Sequence, residues 1–592
     1  MSAQTAERSL GLQQIFSWLV SDGILSKDEA RQKYQEAQGI LKSAVNMHPL
    51  TAAAQCKLIS GKPPHTLLTL DWLTEWAARH VRLPFYRIDP LKIDFTSVAD
   101  IMSSSYATRF NILPVELQGD AVVVATTDPF NTEWQGEIAR ISRKQVRLVF
   151  ANPLEIAQYI TQFFSLAKSI KNARKANTHD LNLRQNLEQL VELGNQKQVD
   201  ANDQHIINIV DWLWQFAFEQ RASDIHLEPK RDMAVIRFRI DGVLHQVYQV
   251  PAVVMIAMIA RIKLLGRIDV IEKRRPQDGR IKTRTNDGQE VELRLSTLPT
   301  AFGEKMVMRI FDPEVVVKTL PELGFPPADA LRWQQLTNKP HGIILVTGPT
   351  GSGKTTTLYT TLKALATSDV NVCTVEDPIE MVEASFNQMQ VQHSIDLDFS
   401  DGIRALMRQD PDIIMVGEIR DLKTAEMAVQ AALTGHLVLS TLHTNDAPSA
   451  IMRLLDLGVP HYLLDATIIG IMAQRLVRTL CPHCKKPDGE MPDVIWQSLT
   501  EQWNLPKPAQ IYRPVGCPEC RQTGYLGRTG LYELLTVTPA FSKLIHAETD
   551  LPALRRQSVA DGMKPLRIAG AEKISEGLTT AEEVLKATSA LN

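Results

Sequence analysis

Gly348-Pro-Thr-Gly-Ser-Gly-Lys354-Thr355 is a complete G-x-x-x-x-G-K-T phosphate-binding pattern. Its glycines let backbone N–H groups close around an anion. The lysine adds a point charge beside the β- and γ-phosphates, and the threonine hydroxyl offers an oxygen to Mg²⁺. The predicted nucleotide-binding run is therefore Gly348, Pro349, Thr350, Gly351, Ser352, Gly353, Lys354, Thr355 and Thr356, with Thr355 also the Mg²⁺ ligand. The pattern alone is common. Here an apolar strand reading, Gly342-Ile-Ile-Leu-Val-Thr347, precedes it and an amphipathic helix reading, Thr356 to Ala366, follows it. Strand, glycine-rich turn and helix are the context in which such a loop binds phosphate.

Hydrolysis also needs acids and cations. The strand reading Asn371-Val-Cys-Thr-Val375 runs into Glu376-Asp-Pro-Ile-Glu380. In a parallel α/β sheet, carboxylates at a C-terminal strand end lie beside the phosphate loop. A second strand, Asp412-Ile-Ile-Met-Val416, ends in Gly417-Glu418. It reads as a Mg²⁺-binding strand in which glycine replaces the usual aspartate, so Glu418 takes over the reach to the metal shell. A third strand, Leu437-Val-Leu-Ser-Thr441, runs into Leu442-His443-Thr-Asn445. A lone histidine is more often structural. At a third parallel strand end, His443 is placed to sense the γ-phosphate or to orient a carboxylate.

Four of the six cysteines form two knuckles, Cys481-Pro-His-Cys484 and Cys517-Pro-Glu-Cys520. Two C-x-x-C pairs supply four thiolates to a tetrahedral Zn²⁺, and a closed four-sulfur site is structural rather than catalytic. His483 lies inside the first knuckle and is read as a bystander. Cys56 and Cys373 read as small buried residues.

These residues need a scaffold. Leu12, Ile15, Phe16, Leu19 and Val20 recur at helical spacing, and Ser26 with Glu29 forms a capping-box pattern before a second helix. A hairpin is predicted where Leu113-Pro-Val-Glu-Leu meets Gly119-Asp-Ala and the apolar run to Thr126. The expected order is a helical module over 1–60, an αβ module over 61–165, and a polar linker with one solvated helix over 166–200. A mixed αβ domain over 201–320 and a P-loop α/β domain over 321–592 follow, the latter including a zinc subdomain at 478–525. The element order of the P-loop domain predicts a mostly parallel sheet covered by helices on both faces. Its own sequence offers no obvious second cation for a transition state.

At 592 residues the chain has room for three or four domains. A formal net charge of -3 gives no general attraction to nucleic acid or anionic lipid. The N-terminus lacks a signal-peptide pattern. The longest apolar run, Val250 to Ala260, stops at Arg261 and is too short to span a bilayer. A cytoplasmic protein is expected, reaching any membrane through a partner.

Four blocks in this order resemble the secretion and pilus-assembly ATPases of type II secretion and type IV pilus systems. They are the phosphate loop, the acidic box Thr374 to Glu380, the box Arg408 to Asp421, and the histidine box Thr434 to Asn445. Ser223 to Pro229, Arg275 to Arg280, Arg294 to Thr300, the cysteine knuckles and Gly524 to Leu535 extend the likeness. It is strong over roughly 201–540 and weaker before.

The resemblance implies a RecA-like motor in a homo-hexameric ring, fuelled by ATP with Mg²⁺ and peripheral to the inner membrane. The implied partners are an inner-membrane platform protein and the cytoplasmic domain of a membrane-anchored assembly protein. It marks Glu376 and Glu380 as alternative water-activating bases, with Glu380 slightly preferred, and Arg280 and Arg294 as arginine fingers. Arg239 and Arg309 read as ordinary surface charges. Some members bind cyclic di-GMP through paired motifs near the N-terminus. Here the arginine expected before Leu10-Gly11 is displaced to Arg8, and the second copy near Leu58 to Gly61 lacks its Arg-Leu-Gly start. A docking module is the better reading of this region.

Two other classes compete. A P-loop nucleic-acid translocase would show a basic or aromatic-rich strand groove, which this sequence does not plainly carry. A nucleotide-gated adaptor would not need acids and a histidine at three strand ends. A pilus-retraction motor fits poorly, because such proteins resemble only the core and usually lack the four cysteines and the long N-terminal region. The sequence leaves type II secretion and pilus extension unresolved.

Overall fold

Asp241 and Gly242 both take positive φ, 49° and 85°, in the two-residue turn joining strands Met233–Ile240 and Val243–Pro251. This is the left-handed turn that an Asp-Gly pair favours. Residues 10–44, 47–62, 65–89, 93, 95–178, 203–311, 318–500, 503–517 and 519–589 are described by the computed structural model. Two units divide the chain, Met1–Ile310 and Phe311–Asn592.

In the first unit, helices Leu12–Ser21, Lys27–Ser43, Pro49–Gln55 and Leu70–His80 close around Ile15, Phe16, Leu19, Leu50 and Leu73. The Ser26 hydroxyl caps the second helix by accepting the Glu29 N–H at 3.2 Å. Strands β1 (Ile112–Gln118) and β2 (Ala121–Thr126) form the hairpin expected from the sequence, with β3 (Gln145–Phe150) parallel to β2. The helix Pro153–Thr178 runs into the span read as a linker. Residues 179–202, the rest of that span, lie outside the described residues, as does Arg8.

Strands β4 (Asp224–Glu228), β5 (Met233–Ile240), β6 (Val243–Pro251), β7 (Gln277–Arg284), β8 (Glu290–Thr300) and β9 (Gly303–Phe311) make a sheet of order β6-β5-β4-β9-β8-β7. A continuous apolar core runs from Val124 and Phe163 to Leu213, Phe238 and Met308.

The second unit is built on a seven-stranded sheet. Its strands are β10 (Gly342–Thr347), β11 (Val372–Glu376), β12 (Asn387–Gln390), β13 (Ile413–Val416), β14 (Leu437–Leu442), β15 (Ile468–Leu480) and β18 (Tyr525–Thr536). The order is β12-β11-β13-β14-β10-β15-β18. Every neighbouring pair is parallel except β15–β18. All residues of β10, β11, β13 and β14 are buried, as continuous apolar strands covered on both faces require. The short ribbon β16 (Lys486–Pro487) with β17 (Tyr512–Arg513) lies in the cysteine-bearing insertion.

Candidate active site and metal centre

Register alone aligns the site. Val375 pairs with Val416, Val416 with Ser440, and Thr347 with Leu442. The C-terminal ends of four adjacent strands therefore share one edge, and each end carries one of the boxes read from the sequence. Side chains fix the alignment. Thr441 Oγ1 donates to the Gly417 carbonyl at 2.8 Å, and Thr444 N donates to Thr347 Oγ1 at 2.8 Å.

The phosphate loop leaves β10 at Gly348, where φ is 152° and a Cβ would stand 2.6 Å from the Gln474 carbonyl oxygen. Only glycine fits there. Gly353 takes φ 87° at the N-cap of helix Lys354–Leu365, whose N-terminus opens at the loop. Lys354 Nζ donates to the Gly348 and Pro349 carbonyls at 2.7 and 3.3 Å, curling back over the loop. Burial pushes its ammonium down to about 8, against the pull of Glu418, and the Arg475 charge pushes the same way as burial. Thr355 is exposed at the start of the helix, and Ser352 is buried.

Glu418 pairs with Arg420 through one carboxylate oxygen and faces His443 Nε2 at 3.5 Å through the other. His443 sits below the ordinary imidazole value, first because of desolvation and then because of the Lys354 charge, although half its side chain is exposed. Lys354, Glu418 and His443, from three different strand ends, are thus one electrostatic group.

Glu376 and Glu380 differ sharply. Glu376 is 3% exposed and accepts hydrogen bonds from Tyr359 Oη (2.7 Å), Thr374 Oγ1 (2.7 Å), Gln388 Nε2 (3.2 Å) and Glu380 N (3.3 Å). Glu380 is partly exposed. Arg280 and Arg294 lie in the first unit as direct cross-strand partners on β7 and β8. They flank Glu292 at 3.8 and 3.7 Å. Arg239 and Arg309 both reach Asp224, at 3.6 and 3.0 Å.

Sequence reading missed the floor of the loop, which includes a buried guanidinium. Arg475, buried on β15, donates through Nη1 to the Gln474 carbonyl at 2.9 Å and through Nη2 to the Asn445 carbonyl at 2.8 Å. Gln474 Oε1 accepts from Thr357 at 2.9 Å, in the first turn of the phosphate-loop helix. Arg420 adds a second guanidinium beside Glu418. A signal was present: Gln474-Arg475 follows the apolar run Ile468 to Ala473 on a strand buried at both positions, and buried polar groups require partners.

The four knuckle sulfurs lie within 4.8 Å of one another, with three of the pairs at 3.7 Å. A tetrahedral ion with bonds of about 2.3 Å needs sulfurs about 3.8 Å apart, so this ligand set fits a metal ion. Cys520 Sγ also accepts N–H bonds from Cys517 and Gly524, both at 3.2 Å, and these orient a ligand sulfur. His483 is exposed and stands outside the cluster. Among the described residues no helix is long and apolar enough to cross a membrane.

Comparison with known proteins agrees with this arrangement. The type II/IV secretion system protein family matches residues 199–586, and the MshEN domain matches residues 81–170. The chain is 53% identical over 548 residues to the type IV pilus assembly ATPase TfpB of Acinetobacter baylyi, covering 92% of this chain and 93% of that protein. It is 37% identical to the type IV pilus assembly ATPase PilB of Myxococcus xanthus, over 87% of this chain and 90% of that one. Identity to the type II secretion system ATPase E of Vibrio cholerae is 40%, over 82% and 96%. With its C-terminal two thirds matched by the family and full-length relatives well above 30% identity, this chain belongs to the type II/IV secretion system family of secretion and pilus-assembly ATPases.

Proposed function

We propose that this chain is a cytoplasmic, homo-hexameric motor that hydrolyses ATP to extend a type IV pilus, docking on an inner-membrane platform protein and a membrane-anchored assembly protein. The observation that carries the hydrolytic part is the convergence of Lys354, Glu418 and His443 at aligned strand ends. The pilus rather than type II secretion reading draws on the 53% identity to a pilus assembly ATPase over 92% of the chain, against 40% over 82% for a type II ATPase.

In this reading Gly348 to Thr356 hold the nucleotide, with Thr355 and Glu418 serving Mg²⁺. Mg²⁺ neutralises charge on the phosphates when bound. Glu380 activates the attacking water, because Glu376 already has four hydrogen-bond partners. His443 orients Glu418, and Arg280 and Arg294 stabilise charge in the transition state. Cys481, Cys484, Cys517 and Cys520 hold a structural Zn²⁺.

The test is genetic and biochemical together. A strain lacking this chain should lose surface pili and regain them with the wild-type gene but not with Lys354→Ala. The purified chain should release phosphate from ATP. Intact pili with lost enzyme secretion would reassign the motor to type II secretion. A nucleic-acid translocase would instead show salt-dependent DNA binding and DNA-stimulated turnover.

A further inference from the structure

Glu533, on β18, is 4% exposed and stands across from Ala473 on β15. Its two carboxylate oxygens have different duties. One accepts the Ala447 N–H at 2.7 Å, four residues beyond His443. The other accepts the Leu566 N–H at 3.1 Å, at the first turn of helix Leu566–Ser575. That helix belongs to the metal-bearing end of the molecule. Ala571 and Ile574 pack with Met491, Trp496 and Leu499 of the cysteine insertion. The turn after the helix accepts Lys485 Nζ at Gly577 (2.8 Å) and Leu480 N at Leu578 (2.7 Å), beside Cys481 and Cys484.

The loop after His443 is gripped at every residue beyond it. Thr347 holds Thr444, Arg475 holds the Asn445 carbonyl, Arg555 holds Asp446 at 2.6 Å, and Glu533 holds Ala447. Arg555 reaches the loop from helix Leu551–Ala560, and Glu533 joins it to helix Leu566–Ser575 by accepting one backbone N–H from each side. A buried carboxylate is costly unless it is fully satisfied, and neither a leucine nor a serine at this position could accept two N–H groups on opposite sides.

We propose that Glu533 is a positioning residue for the hydrolysis site that ties the His443 loop to the metal-bearing C-terminal block, so that the two move together. The proposal rests on the hydrolytic reading given above, but the tie itself is a matter of two hydrogen bonds. Burial and the Asp446 carboxylate push Glu533 up to about 7, opposed by the two N–H donors and by the Arg475 charge. The other charges near these elements are already engaged. Arg555 closes on Asp446, Lys564 on Glu572, and Arg567 on the Ser498 carbonyl. Protonation would turn one acceptor oxygen into a donor facing an N–H, so the tie loosens as pH falls through about 7.

The experiment compares full-length wild-type and Glu533→Gln proteins. Glutamine keeps the shape and one acceptor but sets an NH₂ against the other N–H. In the variant kcat should fall about tenfold to a hundredfold, as misplacement of a catalytic loop does, with KM changed less than threefold. The wild-type decline in kcat between pH 8 and pH 6 should flatten in the variant. The melting temperature at pH 8 should not drop, because removing a buried charge offsets the lost bond.

Hydrogen exchange gives a readout apart from activity. Peptides covering 443–449 and 563–578 should exchange faster in Glu533→Gln, and added ADP should protect 563–578 only in the wild type. Equal exchange in both segments, with wild-type kcat and pH profile, would overturn the tie. Absence of ATP turnover in the wild type, with the basal exchange difference intact, would discredit the motor reading and leave the tie standing.

Discussion

The Tyr359 hydroxyl donates to one carboxylate oxygen of Glu376 at 2.7 Å, while the Thr374 hydroxyl donates to the other at the same distance. With Gln388 and the Glu380 N–H also donating to it, this carboxylate has no acceptor site left to hold an attacking water. Glu380, four residues on, is partly exposed where Glu376 is buried. Glu380→Gln should therefore cut ATP turnover by about 10² to 10⁴ with little change in thermal stability. Glu376→Gln and Tyr359→Phe should lower stability by about 1.5 to 3 kcal/mol each, the worth of a hydrogen bond to a charged group. Steady-state phosphate release and thermal melts on the three variants check this. The reverse pattern, with Glu376→Gln inactive but stable, would exchange the two roles.

Lys354 carries a second expectation. Its ammonium is lowered to about 8 by burial, so the empty loop loses this charge as pH rises past 8. The sign for folding follows. Below pH 8 the native state bears a buried charge that the unfolded chain holds in water, so this group favours folding more as pH rises from 8 to 10.5. Bound phosphates reverse the balance by pairing with the charge. Nucleotide affinity measured by calorimetry should weaken above pH 8 in the wild type. Lys354→Ala should bind weakly throughout, without that pH step, and should show no turnover while remaining folded.

Metal removal should act at a distance from the nucleotide. One Zn²⁺ per chain is expected by elemental analysis. Chelation or Cys520→Ser should expose 481–520 and the helices Leu566–Ser575 and Ala581–Ala587 to protease, because Ala571, Ile574 and Val584 complete the core of the cysteine insertion. ADP binding should persist. A metal-free protein with unchanged proteolysis and melting would reject a structural metal.

Arg280 and Arg294 should separate from their neighbours by turnover rather than affinity. Arginine fingers contribute about 10³ to 10⁵ in rate. Arg294→Ala and Arg280→Ala should lower kcat by at least a hundredfold with KM for ATP nearly unchanged, and wild-type turnover should climb with protein concentration as rings assemble. Arg284→Ala, which loses only an exposed pair with Glu290, should behave as wild type. Concentration-independent turnover in a verified monomer would contradict the ring.

Local chemistry was legible in the sequence wherever one short segment decides it. The phosphate loop, the Ser26 cap, the Asp241-Gly242 turn and the hairpin over Gly119-Asp120 each follow from residue types a few positions apart. The strand ends bearing Glu418 and His443 were also legible, since a parallel sheet brings such ends to one edge. The division of labour between Glu376 and Glu380 was not, because it depends on Tyr359, 17 residues earlier and on another element. Arg475 and Glu533 were hidden for the same reason. Glu533 finds Ala447 across 86 residues of chain, and only the β15–β18 pairing places it there. A buried charge inside an apolar strand marks a partner's existence but not its address.

Strands β15 and β18 have one further consequence. They form an antiparallel ribbon from Gly470–Thr536 to Leu480–Tyr525, rooted beside the phosphate-loop strand and closed at its far end by the four cysteines. Thirteen residues of β15 extend about 40 Å at strand spacing. With a metal on the four cysteines, such a ribbon would be cross-linked at its tip and would serve as a lever arm rooted in the nucleotide-binding sheet. A tilt too small to disturb core packing at the root would then become a larger displacement at the tip. The stiffness that a metal confers on the tip is what would let that displacement be delivered as force.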